Sequence, residues 1–256
     1  MHERLVQVPT ANGTMETFIT YPEQGGPFAA VLLYMDVWGI REELYDIARR
    51  IATVGYCAVV PDLYYRQGRV RHEFRDVDGR MISLHSLPEA DRQKVVAPLA
   101  QLSDTMVVAD TGALIRYLDA NAPVRPGPMG SVGYCMGGRH VLSVAAAYPE
   151  RFRASAGLHP TSVISDRPDS PHKLLDRIRG EVYCGFAETD AYAPLPMIEE
   201  LGRMFAGCPS VGYHHEIHKG AVHGYALPDR DIHHKAGANR DWELIFAMYR
   251  RQLGPV

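Results

Sequence analysis

Residues 129–138 read Met-Gly-Ser-Val-Gly-Tyr-Cys-Met-Gly-Gly. Their centre, Gly133-Tyr134-Cys135-Met136-Gly137, has the form of a nucleophile elbow with sulfur at its tip. Such an elbow is a sharp strand-to-helix turn that lifts one side chain, usually a serine, clear of a sheet. Glycines two before and two after that side chain let neighbouring backbone approach without a Cβ clash. The flanks supply the context: Pro126 and Pro128 close a loop, Met129–Gly133 reads as a short buried strand, and Gly137–Tyr148 reads as a helix. A bare Gly-x-Cys-x-Gly would suit a buried structural cysteine equally well. The strand before it and the helix after it favour a nucleophile.

Outward from the elbow, strand-like and helix-like runs alternate. Leu5–Val8 and Met15–Tyr21 read as strands joined through Asn12-Gly13, a strong hairpin signal, and Ala29–Met35 as a third strand. A helix is expected over Arg41–Val54, with Leu44, Ile47, Ala48 and Ile51 at helical spacing, then a strand over Tyr56–Val60 stopped by Pro61. A helix over Asp104–Leu118 precedes the elbow strand. After the elbow come strands Ala154–Leu158, Glu181–Phe186 and Val211–Ile217, with helices at Pro196–Phe205 and Asn239–Gln252. This alternation after an opening hairpin predicts an α/β protein: a mostly parallel central sheet with helices on both faces, over residues 1–256 as one domain. Tyr64–Ser103 fits the alternation poorly. It is charged, with Arg66, Arg69, Arg71, Arg75 and Arg80, and is expected to be a lid-like insertion or interaction surface whose arginines are mostly solvated.

Composition narrows the function. The net charge is −3, with no basic stripe for nucleic acid and no long apolar span for a membrane. The start, Met1-His2-Glu3-Arg4, lacks the basic-then-apolar order of a signal peptide, so a cytoplasmic location is expected. Four widely spaced cysteines, Cys57, Cys135, Cys184 and Cys208, suit a reducing compartment. Cys57 and Cys184 sit in strand-like runs and read as core; only Cys135 has activating surroundings. His214, His215 and His218 match no metal signature, and neither metal nor cofactor is expected.

A thiol nucleophile needs a base beside it and a group to orient that base. In an elbow fold the chain order is nucleophile, acid, histidine. The acid's place, after strand Glu181–Phe186, holds Ala187-Glu188-Thr189-Asp190; Asp190 is the candidate and Glu188 its rival. The histidine's place, after strand Val211–Ile217, holds Lys219-Gly220-Ala221-Val222-His223-Gly224, making His223 the candidate base. His159, which also ends a strand, could line the pocket. Oxyanion donors are expected from the backbone N–H of Met136 and of Val37, in the loop Met35-Asp36-Val37-Trp38-Gly39. Asp36 reads equally as a helix cap or as a carboxylate modulating the thiol, and Trp38 as a pocket wall or as plain packing.

These residues resemble the dienelactone hydrolase family of α/β-hydrolases: Gly133-Tyr134-Cys135-Met136-Gly137-Gly138, the Asp36-Val37-Trp38-Gly39 loop, Asp190, and His223-Gly224-Tyr225, spanning roughly Thr17 to Leu253. The resemblance implies hydrolysis of unsaturated lactones through a thiol ester on Cys135, with His223 as base and Asp190 orienting it. Tyr225 and Arg139 join Trp38 and His159 as candidates for the substrate pocket, and the family's loop acid, a glutamate that holds the resting cysteine, implies a thiol-tuning role for Asp36. Three positions depart from the pattern. The loop acid is Asp36, one methylene shorter. Leu227 stands where the family carries a substrate-binding arginine, leaving Arg230 to substitute only by a different path. Arg139 follows the elbow's second glycine, where small or apolar residues are common. The expected function is therefore cysteine-dependent hydrolysis of a small ester or lactone by a monomer or homodimer. The alternatives are thioester or amide hydrolysis on the same fold, or a non-catalytic member that binds a small ligand.

Overall fold

A computed structural model describes residues 1–254 of the chain. The strands are β1 (His2–Thr10), β2 (Gly13–Tyr21), β3 (Ala30–Tyr34), β4 (Cys57–Pro61), β5 (Met129–Tyr134), β6 (Phe152–Leu158), β7 (Gly180–Thr189) and β8 (Val211–Val222). The helices are α1 (Glu42–Thr53), α2 (Glu89–Val96), α3 (Asp104–Asn121), α4 (Met136–Ala147), α5 (Leu195–Ala206) and α6 (Lys235–Leu253). One eight-stranded sheet runs β1-β2-β4-β3-β5-β6-β7-β8. β1 pairs antiparallel with β2, and β2 with β4; every other pairing is parallel.

The hairpin forms at Asn12-Gly13 as its turn chemistry requires, pairing Thr10 with Gly13. β3, β4 and β5 are buried at every position, which is why they read as continuous apolar runs rather than alternating ones. Helix α1 buries Leu44, Ile47, Ala48 and Ile51. It meets α6 through Arg50, whose guanidinium lies 4.8 Å from the Trp242 ring centroid. α3 and α4 pack against each other, with α4 lying along β5 and β6.

Two strands run further than expected. β7 continues to Thr189 and β8 to Val222, so β8 delivers His223 directly from its end. The extension needs a shift of register between Ala187 and Thr189 and a positive φ of 77° at Gly220. Glycine is the residue that reads as an end to a strand, yet here it is a bulge that lets pairing resume.

The Tyr64–Ser103 segment is a cap with a small core of its own. It carries three short 3₁₀ turns and helix α2. Met81, Leu87 and Val95 bury against Val37 and Trp38, with Phe74, Ile82, Leu84 and Leu99 around them. Its arginines are not uniformly solvated. Arg66 pairs with Asp110 at 2.7 Å and Arg71 with Asp62 at 3.2 Å, whereas Arg69, Arg75 and Arg80 are exposed. Among the described residues, no helix is long and apolar enough to cross a membrane.

Candidate active site

Parallel strands present their carboxyl ends at one edge of the sheet, where α/β folds place their ligands. Here Cys135 directly follows β5, Asp190 follows β7, His223 follows β8, and β3 runs on through Met35 into Asp36 and Val37. Cys135 sits at φ 56° and ψ −116°, a strained conformation for a residue with a Cβ. The turn is feasible only because its neighbours lack side chains. A Cβ on Gly133 would lie 2.2 Å from the Gly137 carbonyl oxygen, and one on Gly137 would lie 2.4 Å from that of Tyr34. The elbow motif is thus a statement about how closely the start of α4 presses on β5 and β3.

His223 Nε2 lies 3.3 Å from Cys135 Sγ, and His223 Nδ1 lies 2.7 Å from Asp190 Oδ2. Asp190 Oδ1 accepts the Tyr192 N–H at 2.8 Å, which orients the carboxylate. Glu188, the rival acid, instead accepts the Gly220 N–H at 2.8 Å, in the exposed bulge between β7 and β8. Burial disfavours a charged His223 ring. The Cys135 sulfur and the Asp190 carboxylate outweigh it and push the imidazole up to about 10. Cys57 and Cys184, by contrast, are buried among apolar groups that push each thiol up to about 12, as suits inert core cysteines.

A cavity of about 240 Å³ opens beside the sulfur, its walls including Trp38, Leu84, Arg139, His159, Tyr192 and Arg230. A larger depression of about 740 Å³ lies near Pro22–Ala29 and Tyr56 at the opposite end of the strands, and none of the candidate catalytic side chains lines it. His159 is fully buried at φ 37°, with its ring edge-on to His223 at 5.0 Å between centroids. Burial holds its pKa well below the usual imidazole value. Arg139 is buried and donates through Nε to Asp104 Oδ2 at 3.1 Å; His140 Nδ1 meets the same carboxylate at 2.6 Å.

One sequence expectation changes here, and one left open is taken up. Tyr225 does not line the cavity: its hydroxyl donates to Asp241 at 2.7 Å in the core, where Tyr183 and His218 converge on the same carboxylate. A buried phenol needs a hydrogen-bond acceptor, and Asp241 supplies it away from the pocket. Arg230, which the sequence left to substitute only by a different path, does reach the cavity wall. It is 5% exposed and its guanidinium lies 5.0 Å from the Trp38 ring centroid, a cation–π contact. Leu227, at the place of the family's arginine, is core.

Asp36 lies in the cavity wall, but its carboxylate is taken by Arg41, through Nη1 at 2.7 Å and Nη2 at 3.1 Å. Arg41 and Tyr192 were missed by sequence reading. Tyr192 packs its ring 4.8 Å from that of His223 and follows Asp190 by two residues, a spacing that carries no signal by itself.

Residues 15–253 match the model of the dienelactone hydrolase family. A Synechocystis protein named "Putative carboxymethylenebutenolidase" is 24% identical over 254 residues, covering 97% of this chain and 96% of that protein. A Bradyrhizobium protein named "Probable 2-oxo-3-(5-oxofuran-2-ylidene)propanoate lactonase" is 23% identical over 253 residues, covering 97% and 94%. The crystal structure titled "Putative Dienelactone Hydrolase" from Klebsiella pneumoniae superposes with a TM-score of 0.83 at 20% identity over 98% of each chain, which shows the shared α/β-hydrolase fold.

Proposed function

The chain belongs to the dienelactone hydrolase family and is a hydrolase, and we propose that it cleaves a small ester or lactone through a thiol ester on Cys135. The observation that carries this reading is the contact of His223 with Cys135 at 3.3 Å and with Asp190 at 2.7 Å.

With His223 holding its proton up to about pH 10, the resting ring is an imidazolium beside the sulfur, and the reacting form of a cysteine is its thiolate. The thiolate attacks the substrate carbonyl. The oxygen that becomes negative is held by the N–H groups of Val37 and Met136, the latter at the first turn of α4, where N–H groups have no intrahelical acceptor. As the tetrahedral adduct collapses, His223 gives its Nε2 proton to the departing alkoxide, which in a lactone stays tethered to the acyl group. Water then attacks the thiol ester. His223 takes one of its protons, the C–S bond breaks, and the acid leaves the thiolate and imidazolium as they began. Asp190 holds the ring so that Nε2 faces the sulfur throughout.

Two arginines in a cavity of about 240 Å³ support a compact substrate that carries negative charge near the scissile bond, and the lactonase name of the Bradyrhizobium relative points the same way. Arg139 and Arg230 would fill the role left open at Leu227. Intact-mass spectrometry with a panel of lactones and esters tests this directly. An acyl adduct that peptide mapping places on Cys135 is the expected result. Turnover with the adduct elsewhere, or undiminished in Cys135→Ala, would overturn it.

A further inference from the structure

We propose that Asp36 and Tyr64 position the oxyanion turn Asp36-Val37-Trp38-Gly39, and that Asp36 acts there and not on the Cys135 sulfur; the proposal rests on Cys135 being the nucleophile. The carboxylate of Asp36 has room for about four hydrogen-bond partners, and the protein fills three of those places and sets a guanidinium near the fourth. Oδ1 accepts Arg41 Nη1 at 2.7 Å and the Trp38 N–H at 3.2 Å. Oδ2 accepts Arg41 Nη2 at 3.1 Å and faces Arg230 Nη1 at 3.8 Å. Three hydrogen bonds and a facing guanidinium thus commit this carboxylate to Arg41, the Trp38 N–H and Arg230, and the Cys135 sulfur is not among its hydrogen-bond partners. The sulfur's hydrogen-bond partner is His223 instead.

The same contacts shape the turn. Trp38 N–H is drawn back onto the Asp36 side chain, and the Gly39 N–H donates to the Asp36 carbonyl oxygen at 3.2 Å. The Val37 carbonyl oxygen accepts the Tyr64 hydroxyl at 3.2 Å. Among the described residues, the Val37 N–H donates to no protein acceptor, so it is free for a substrate oxygen. Tyr64 is fully buried and its hydroxyl also lies 3.5 Å from Met136 Sδ. One phenol therefore touches both residues whose N–H groups would hold the oxyanion.

Arg41 extends the brace to the base. Its Nε and Nη2 hold Asp229 at 2.6 and 3.3 Å, and Asp229 lies in the loop that leaves His223. The alternation Asp229–Arg41–Asp36–Arg230 is almost wholly out of water, with side chains 10%, 9%, 1% and 6% exposed. Opposite charges in contact are what make such burial tolerable, and each charge fixes its neighbour's place. The donors for the oxyanion and the loop carrying the base are thus set by one clamp.

The test compares Asp36→Asn and Tyr64→Phe in the whole protein by three measurements. Turnover of a nitrophenyl ester gives kcat and KM. Inhibition by a trifluoromethyl ketone, whose adduct with sulfur carries an oxyanion, reads the donors. Alkylation by iodoacetamide across pH reads the thiol without them. Losing an oxyanion donor outright costs on the order of 10²–10³ in kcat, so a misplaced donor is expected to cost about tenfold to a hundredfold. KM should hold, ketone affinity should fall in step with kcat, and the alkylation profile should stay put. A shifted alkylation profile with unchanged ketone affinity would return Asp36 to the thiol and overturn the proposal. Tyr64→Phe removes one hydroxyl and keeps the ring's packing, so undiminished ketone affinity in that variant also overturns it, even where Asp36→Asn fails to fold. Cys135→Ala in parallel separates the two readings. Retained turnover there refutes the nucleophile, whereas an inactive Cys135→Ala with unaffected Asp36 and Tyr64 variants refutes the positioning alone.

Discussion

The elbow side and the cap side of the cavity are built by different means. Cys135, Asp190 and His223 stand at the ends of β5, β7 and β8, so their spacing follows from the backbone ladder of parallel strands. The facing wall has no such ladder. Trp38, Ser83, Leu84 and Arg230 meet through contacts between distant segments: Arg41 with Asp229, and Ser83 with Asp231 through Oγ at 2.5 Å and its N–H at 2.8 Å. The Met81 N–H adds a backbone bond to the Asp229 carbonyl oxygen at 2.7 Å. A wall set by strand ends is rigid and hosts chemistry, whereas a wall set by side-chain pairs can be exchanged to suit another substrate.

The comparison breaks most sharply at the sulfur. Cys135→Ala is expected to lower turnover by about 10⁴–10⁶-fold, read as steady-state rate on a nitrophenyl ester. Asp190→Asn should cost about 10⁴ in kcat by favouring the wrong His223 tautomer. A loss in KM alone would place the acid elsewhere, with Glu188 the next to examine. On the cap side the effects should fall on binding and stability. Trp38→Ala removes a buried ring from the cap core and is expected to destabilise by about 3–5 kcal/mol, measured by urea unfolding, with KM rising more than kcat falls. The smallest effect belongs to the exposed cap cations: Arg75→Gln should stay within about 0.5 kcal/mol in stability and leave kinetics unchanged. A large kinetic effect there would make the cap surface part of the site.

The charge of His223 sharpens the same contrast. Its folded-state pKa is raised, so the protonated ring persists from its ordinary range up to about pH 10 and is lost above it. Acylation by an alkyl ester, whose alkoxide must be protonated, should decline as pH passes that value, while a nitrophenyl ester should not share the decline. Ring NMR of Cys135→Ala should move the His223 midpoint back towards about 6.5, because the sulfur is a principal cause of its elevation.

Much of this was readable in advance because the signals are local. The elbow's glycines, the Asn12-Gly13 turn and the apolar runs of β3 to β5 each report on backbone within a few residues. The expected strand end at Ile217 fell short because a glycine that permits a bulge reads the same as one that ends a strand, and the end at Phe186 because Glu188 and Thr189, exposed at the strand's end, read as loop. The readings of Tyr225, Arg230 and the cap arginines turned on which side chain finds which partner. Tyr225 found Asp241, Arg66 found Asp110, and Arg230 found Trp38, at separations in sequence from 16 to 192 residues.

By itself, the sequence determined the sheet-and-helix alternation, the sulfur at the elbow, and the placing of Asp190 and His223 after later strands, because periodicity and turn chemistry act over short stretches of chain. The tertiary structure decided that Asp190 and not Glu188 meets His223, that Arg41 occupies Asp36, and that Arg230 reaches the cavity. Hydrogen bonds and ion pairs depend on distance in space, and residues far apart in the chain acquire that distance only when the sheet closes around its core.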